Sequence, residues 1–514
     1  MTSHGGPLVR RLTATAVCIA MTCALGACSS STSSAGGTDA TGAGTGTATT
    51  DPGSVAIFTP SDGVTISGNT PLNKWTAFVP ELTKALRNRS FPKKSISSST
   101  ADSLDEQSRD VQDYVVDRIS SKTGSSSSDT TIVVAPVTDP DDTTRQYGDV
   151  VSHDGASDAT TDDADDETAA DRLTSALSLA KENGMHVVML SDTVPGVVPD
   201  AYVRMSTAEA IGKVQATKLV DKLALDKVSK DNPKYVEVLL PYSPDTSGEA
   251  DDTSATDGSV TGGEAFAAAA FKGVWSVLGP YFASGQAVSL SSTLTSDTTA
   301  DDWRDVAFVS GKEDTVRAEL RGRLGLDDAD AKAGTTRIDG IIAMNDYTAS
   351  GVVDELSDLG YTGSAADINP QITISGIVEN ITGRKDLVRG KVPDPVKAPS
   401  ASDGSKDAGD DAKWPIVTGY GAYVDAMPRI VAGQQWMTAL EDRATLAEDT
   451  AQTCLRLNTV DGNGWRKGLK FLTTTKVNGK NTPTVSVDLL AVSASNLKTA
   501  LINPGYISLA DAGL

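Results

Sequence analysis

The stretch Asp339-Gly-Ile-Ile-Ala-Met344 is a short apolar run that leads directly into two polar residues, Asn345 and Asp346. The apolar residues after them recur at intervals of three and four, which predicts an amphipathic helix, and Gly360 marks its end. These apolar residues are Val352, Val353, Leu356 and Leu359. A buried strand followed by a helix is the repeating unit of an α/β protein. It leaves Asn345 and Asp346 at the carboxyl end of the strand.

The same alternation extends in both directions along the chain. Apolar runs that predict strands cover 54–58, 131–136, 186–190, 235–240, 287–290, 372–377 and 416–418. Helical patterns lie between them, at about 75–86, 104–119, 173–180, 264–278 and 313–324. Ser206 with Glu209 predicts a capping box at the first helix of the second half. Because alternating strands and helices form parallel sheets covered on both faces, we predict an α/β fold of two doubly wound lobes.

Four polar segments interrupt this order, at 122–128, 140–167, 243–263 and 393–413. Each is rich in Asp, Ser, Thr and Gly and poor in apolar residues, so we predict surface loops or disordered insertions. The acidic run at 162–167 has two interpretations, a solvated insert or a calcium-binding loop. Its spacing matches no known calcium motif, which favours the solvated insert.

The first residues have the pattern of an export signal. Arg10 and Arg11 precede an uncharged apolar stretch, 12–25, that is too short to span a bilayer stably. It ends in Leu25-Gly26-Ala27-Cys28, which resembles the lipobox of bacterial lipoproteins. We predict that residues 1–27 are a lipoprotein signal peptide and that Cys28 carries two acyl chains, since one chain binds a membrane only marginally. The alternative is an ordinary secretory signal with an unmodified cysteine.

Residues 28–53 predict a flexible tether, because they consist mostly of Ser, Thr, Gly and Ala and cannot bury enough apolar surface to fold. We therefore predict an extracytoplasmic protein, anchored to the cell membrane by its lipid. The formal net charge of −23 argues against nucleic acid or an anionic lipid surface as a partner.

Catalytic motifs are missing from the sequence. Only His153 and His186 remain after the signal peptide, and there is no nucleophile elbow, zinc-ligand spacing or phosphate-binding glycine loop. We therefore predict no enzyme, no cofactor and no metal. Cys454 is the one cysteine after Cys28, and its spacing places it on a helix face, so we predict a buried apolar residue. The residues that share this face are Leu440, Ala444, Ala447 and Ala451.

The opening stretch, extended from Arg337 to Asp346 and through 349–356 to Gly360, resembles the type I periplasmic sugar-binding proteins, and most of all their xylose-binding branch. Further blocks agree with the family in the same order along the chain. They are Val203-Arg-Met-Ser206 with Gly212 and Gln215, 414–419, 429–438, 485–490, Asn496 and Gly505-Tyr506. The likeness runs from about Ser54 to Leu514, and the acidic inserts are absent from typical members.

The resemblance implies a periplasmic-binding-protein-like I fold, in which a hinge of three crossings joins the two lobes. We expect lobe 1 to comprise 54–200 plus about 422–484, and lobe 2 about 201–421 plus 485–514. It also implies a monomer that captures a sugar, xylose-like in this branch, between the lobes and delivers it to an ABC permease. The alternative is a sensor or scaffold lipoprotein of the same fold with a different or degenerate pocket.

The family's ligand positions transfer in part. Asp346 matches an Asp that holds sugar hydroxyls, with Asn345 beside it, although Asp is also a favoured N-cap residue. Trp75 lies where the family has an aromatic ring, yet it also fits the core face of a helix. Asp192 keeps the acid of an Asp-Arg pair but lacks the arginine, and Tyr420 stands where the family has Gln-Asp. Tyr420 could supply a ring and a hydroxyl for that missing pair.

Overall fold

The computed structural model describes residues 51–63, 70–121, 127–138, 142–153, 164–243, 262–310, 312–326, 336–366 and 412–514. The predicted signal peptide, Cys28 and nearly all of the tether lie outside the described residues, as do the predicted strand at 372–377 and most of the inserts at 122–128, 243–263 and 393–413. The side chains of the acidic run at 162–167 also lie outside them.

Strands and helices are numbered along the chain. The strands are β1 (Ser54–Pro60), β2 (Ile96–Ala101), β3 (Thr130–Val134), β4 (His186–Leu190), β5 (Ala201–Arg204), β6 (Lys234–Val238), β7 (Leu240–Tyr242), β8 (Ala287–Val288), β9 (Ala307–Val309), β10 (Gly340–Ile342), β11 (Ile416–Thr418), β12 (Met437–Leu440), β13 (Leu472–Val477), β14 (Lys480–Ser486) and β15 (Leu490–Ser493). The helices are α1 (Trp75–Asn88), α2 (Leu104–Ser120), α3 (Asp142–Arg145), α4 (Ala164–Glu182), α5 (Ala208–Leu223), α6 (Gly262–Ala283), α7 (Trp303–Val306), α8 (Glu313–Arg323), α9 (Asp346–Asp358), α10 (Met427–Ala432) and α11 (Arg443–Thr459).

In the part of the first lobe that the structure describes, seven strands form a sheet of order β13-β14-β5-β4-β3-β1-β2. Six of these strands run parallel to one another: β14, β5, β4, β3, β1 and β2. The edge strand β13 pairs antiparallel with β14. Alternation along β1 separates two cores: Val55 and Ile57 pack with α1 and α11, whereas Ala56 and Phe58 pack with α2 and α4. The sheet is therefore covered by helices on both faces.

The second lobe repeats this design, and its described residues form a six-stranded sheet of order β15-β12-β11-β10-β6-β8. Five strands are parallel, and β15 is antiparallel to β12. The crossovers through α6 and α8 run in opposite directions along the sheet, so right-handed connections place these helices on opposite faces. The predicted α/β class with two doubly wound parallel sheets is confirmed. Among the described residues, no helix combines the length and hydropathy of a membrane span.

Within the described residues, the chain passes between the sheets three times, at 205–207, 441–442 and 487–489. Two of these crossings differ from the expected boundaries. β5 was expected to open lobe 2, but it pairs with β4 in the first sheet. β12 was expected in lobe 1, but it pairs with β11 in the second sheet. In both cases the strand completes its hydrogen-bonded sheet before the chain crosses.

The predicted surface insertion at 140–167 is wrong for much of its length. Most side chains of residues 143–153 are buried, and α4 begins at Ala164. The buried side chains of this stretch are Thr143, Thr144, Tyr147, Val150, Val151 and Ser152. The stretch is polar in composition but contains one tyrosine and two valines. Burial of their apolar area stabilises the packing of the stretch against the rest of the protein.

Two local predictions need correction. The N-cap of α5 is Thr207, whose side chain accepts a hydrogen bond from Ala210 N, and not Ser206. Leu440 lies in β12, outside the helix that carries Cys454. The buried, unpaired state predicted for Cys454 is confirmed, and burial raises the pKa of its thiol to about 12.

Candidate functional site

Polar side chains of both lobes meet where parallel strands end. Asn73 follows β1 and Asp192 follows β4 in the first lobe, while Asn345 follows β10 and Tyr420 follows β11 in the second. We call the region bordered by these four residues the interlobe cleft. In open α/β sheets ligands bind at the carboxyl ends of the strands, so the cleft is the candidate functional site.

Asn345 has two roles at this site. Its Oδ1 accepts a hydrogen bond from Thr348 N at 2.8 Å, which makes it the N-cap of α9. Its Nδ2 donates to Gln146 Oε1 of the first lobe at 2.9 Å. The amide is completely buried. Asn345 therefore connects the start of α9 to the opposite lobe.

Asp346 lies beside Asn345 but does not cap the helix. Its Oδ2 accepts hydrogen bonds from Tyr423 N at 2.9 Å and Thr438 Oγ1 at 2.8 Å, and its Oδ1 accepts one from Gln435 Nε2 at 2.6 Å. Burial raises the pKa of Asp346 to about 6, against the lowering effect of these donors. The carboxyl group holds the loop after β11 against β12, and its contacts are all within the second lobe.

Tyr420 is fully buried at the centre of a ring of hydrogen bonds. Its hydroxyl accepts a hydrogen bond from Asn73 Nδ2 at 2.9 Å and also bonds to Ser206 Oγ. Ser206 Oγ donates to Glu441 Oε1, and Glu441 N donates to Asn73 Oδ1 at 3.1 Å. Ser206 and Glu441 stand in two of the three crossings, so the ring joins both lobes to the hinge.

Glu441 is the buried acid of this ring. Burial raises its pKa to about 7, although the hydrogen bonds from Ser206 lower it. Burial likewise raises the pKa of Tyr420 well above its usual value, and the negative charge of Glu441 adds to that rise. The ring is therefore mainly neutral near pH 6, where Glu441 is protonated.

Asp192 lies at the first-lobe edge of the cleft and binds the chain near His153. Its Oδ1 accepts from His153 N at 2.6 Å and Ser152 Oγ at 3.1 Å. Its Oδ2 lies 2.8 Å from His153 Nδ1. In place of the missing arginine of the family pattern, Asp192 thus has a histidine partner.

Trp75 is the first residue of α1 in the first lobe. Its side chain is buried in the first-lobe core, where its ring meets Phe78 edge to face at a centroid distance of 6.2 Å. The helix itself begins at this residue because Asp62 caps it, accepting from Trp75 N at 2.6 Å and Thr76 N at 3.0 Å. The structure thus shows Trp75 packed in the core, as the second interpretation of this residue expects.

The cleft also contains residues that sequence reasoning missed. Tyr147, only 1% exposed, lies between the lobes, with its ring centroid 4.7 Å from Phe266 and 6.0 Å from Tyr420. Gln146 and Asn73 were missed as well. The available signal was the apolar group Tyr147, Val150 and Val151 within an otherwise polar segment.

The side chains that border the cleft are amides, hydroxyls and aromatic rings, with the carboxylate of Asp192 at its first-lobe edge. Among the described residues there is no group of three His, Cys, Asp or Glu side chains that could hold a metal ion. Amide and hydroxyl groups can donate to and accept from a neutral hydroxylated molecule, and the rings offer apolar faces. This donor set suits an uncharged polar solute.

No protein-family model matches the chain, and no curated protein sequence matches it. Solved structures with a similar fold include a solute-binding protein of an ABC transporter from Clostridium phytofermentans with bound β-D-glucose, at 17% identity and a TM-score of 0.47, covering 89% of this chain and 99% of that one. A carbohydrate transporter solute-binding protein from Chloroflexus aurantiacus in complex with D-glucose shows 18% identity and a TM-score of 0.45, covering 89% and 97%. A myo-inositol-binding protein from Caulobacter shows 13% identity and a TM-score of 0.38, covering 87% and 96%. With all three TM-scores below 0.5, these similarities assign neither a ligand nor a function to this chain.

Proposed function

We propose that this protein is a non-catalytic solute-binding protein that captures a sugar between its two lobes. The observation that carries the proposal is that Asn73 of the first lobe bonds to Tyr420 of the second, while Asp192 and Asn345 bind the same segment, 143–153, from the first and the second lobe. All four follow parallel strands, and three crossings connect the lobes that bear them. Such an arrangement couples ligand capture to movement of the lobes.

A sugar matches the chemistry of this cleft. Its hydroxyls pair with amide groups such as that of Asn345, and its C–H faces pack on rings such as Phe266 and Tyr420. Asp346 is proposed to act behind Asn345, since it fixes the loop that presents Tyr420. A xylose-like monosaccharide is the ligand that the sequence resemblance favours.

We further propose that the protein is a monomer, works outside the cytoplasm and delivers its ligand to an ABC permease. The lipobox-like residues that end in Cys28 support a lipid anchor at the cell membrane. Fractionation of cells that express Cys28→Ser tests the anchor. The variant should leave the membrane fraction for the soluble exported fraction, and full retention in the membrane would contradict a lipid on Cys28.

A sensor or scaffold with a closed cleft is the second candidate. The observation that favours it is Tyr147, whose ring is buried between the lobes where a solute would lie. A scaffold would keep this arrangement permanently, whereas a binding protein must be able to open it.

A thermal-shift screen of pentoses, hexoses and small oligosaccharides separates the two functions. A ligand that binds only the folded state at a hundredfold excess over its Kd stabilises by about 2.7 kcal/mol and raises the melting temperature. A shift with one or a few sugars would support capture. No shift with any sugar would favour the closed scaffold.

A further inference from the structure

The segment Thr143–His153, which we call the cleft segment, is connected in sequence to elements of the first lobe, but some of its side chains pack in the second lobe. It follows β3 and precedes α4 in the first lobe. The side chains of Tyr147 and Val151, however, belong to the hydrophobic core of the second lobe. β3 is the neighbour of β1 at the point where the strand order reverses, which is where ligands of such sheets bind.

The contacts of the cleft segment with the second lobe are of the kind that a bound solute would make. Gln146 Oε1 accepts from Asn345 Nδ2 at 2.9 Å, and Gln146 O accepts from Tyr423 OH at 2.7 Å. The Tyr147 ring packs on Phe266 and faces Tyr420. Polar groups of the second lobe that border the cleft are thus satisfied from within the chain.

The same segment is fastened to the first lobe and to the hinge. Tyr147 O accepts from Asn73 Nδ2 at 3.4 Å, and Ser152 N donates to Ser206 O at 2.8 Å. Gly148, at φ +126°, packs so closely on Asn73 that a Cβ there would lie 2.5 Å from Asn73 Cβ. Asp192 binds His153, the last residue of the cleft segment. One short segment therefore contacts both lobes and a crossing.

We propose that the cleft segment is an intramolecular occupant of the interlobe cleft, which holds the two lobes together in the place that a solute would take. The role of this place as a solute site rests on the proposed function. The bridging itself rests on the contacts of Gln146 and Tyr147 alone. A consequence is that solute and cleft segment exclude one another, so binding requires displacement of the Tyr147 ring.

The test is made without any solute, on the whole protein. Gln146→Ala removes the hydrogen bond to Asn345, and Tyr147→Ala removes the ring. Tyr114→Ala is the matched control, since Tyr114 packs against Phe58 at the outer face of the first lobe. The radius of gyration is measured by small-angle X-ray scattering, and amide exchange of residues 143–153 by mass spectrometry.

We expect Tyr147→Ala to increase the radius of gyration and to accelerate amide exchange in the cleft segment by roughly tenfold or more, with Gln146→Ala changing both in the same direction by less. Tyr114→Ala should leave both unchanged. If Tyr147→Ala loses its folded circular dichroism, Gln146→Ala alone decides the outcome. An unchanged radius and slow exchange in the folded variants would overturn the proposal, as would fast exchange of the segment in the wild type. Neither result depends on a sugar, so the proposed function can fail while this proposal stands.

Discussion

The hydroxyl of Tyr420 accepts a hydrogen bond from Asn73 Nδ2 at 2.9 Å, which joins the second lobe to the first inside the protein. When Glu441 is ionised, Ser206 donates its hydroxyl hydrogen bond to the carboxylate, and the Tyr420 hydroxyl in turn donates to Ser206 Oγ. The hydrogen bonds therefore run in one direction, from Asn73 through Tyr420 and Ser206 to Glu441. The ring fixes two crossings relative to each other, and the phenol supplies its link between Asn73 and Ser206.

Tyr420→Phe should weaken this ring without removing the aromatic packing. It leaves the Asn73 amide and the Ser206 hydroxyl without their buried partner, and we expect a loss of about 1–3 kcal/mol in the free energy of unfolding. Tyr242→Phe, which alters a tyrosine of the second lobe that packs on Trp303, is the control and should cost less than about 0.5 kcal/mol. Urea unfolding measures both. Equal stability of the two variants would show that the ring contributes nothing.

Glu441 predicts a dependence of stability on pH. Its pKa is raised on folding from the usual 4.5 to about 7, so between these values the folded state binds more protons than the unfolded state. Its contribution is therefore fully present below about pH 4.5 and is lost as pH rises through 7. Asp346, with a pKa raised to about 6, acts in the same direction.

Glu441→Gln removes the first of these two contributions. Between pH 5 and 7.5 we expect the free energy of unfolding to fall less in the variant than in the wild type. The difference between the two falls should be on the order of 3 kcal/mol at most. Glu448→Gln, on an exposed position of the helix that follows, should retain the wild-type pH profile. Denaturant titrations at several pH values give the profiles. Parallel curves for wild type and Glu441→Gln would contradict the raised pKa.

Asp346→Ala should be among the more damaging single substitutions in the second lobe. It leaves Tyr423 N, Thr438 Oγ1 and Gln435 Nε2 without their buried acceptor, and we expect a loss of roughly 2–4 kcal/mol. Asp354→Ala on the same helix breaks only a partly exposed pair with Arg429 and should cost about 1 kcal/mol or less. Thermal or urea unfolding checks the difference. Similar losses for the two aspartates would show that Asp346 is not the internal anchor of its loop.

Gly148 tests how tightly the cleft segment is packed. Gly148→Ala combines a positive φ with a clash against Asn73, whereas Gly325→Ala has a positive φ of 70° and nothing within 4 Å of the new Cβ. The strain alone should cost about 1 kcal/mol, as Gly325→Ala would measure. We expect Gly148→Ala to cost more than its control and to accelerate amide exchange at residues 143–153. The same exchange rate in both variants would show that the segment is loosely held.

The fold could be predicted from the sequence because its signals are local. The apolar run of β10 leads directly into the helical pattern of α9. The unbroken apolar run from Val55 to Phe58 predicts a strand that is buried on both faces. The boundaries of the lobes could not be predicted as well. Which sheet receives β5 or β12 is decided by hydrogen bonds to strands distant in sequence, which leave no local pattern.

The site was less predictable than the fold, for a physical reason. Asn345 and Asp346 were predicted from their place after a strand, and Asp192 and Tyr420 from the family resemblance. The partners that these side chains contact are up to hundreds of residues away. Ser206 was assigned to a helix cap, since its place in the hinge ring depends on Tyr420 and Glu441. Tyr147 was hidden in a polar segment whose composition predicts exposure, although its few apolar side chains suffice to bury it.

The most direct test of solute capture in the cleft is isothermal titration of the wild type and Tyr147→Ala with monosaccharides, both pentoses and hexoses. If a sugar and the cleft segment compete for one site, removing the Tyr147 ring raises the fraction of binding-competent protein and lowers the apparent Kd. We predict binding of at least one sugar to both proteins, with an apparent Kd about tenfold lower for Tyr147→Ala. Binding of no sugar by either protein would contradict solute capture in the cleft, and equal affinity in the two would contradict competition with the cleft segment.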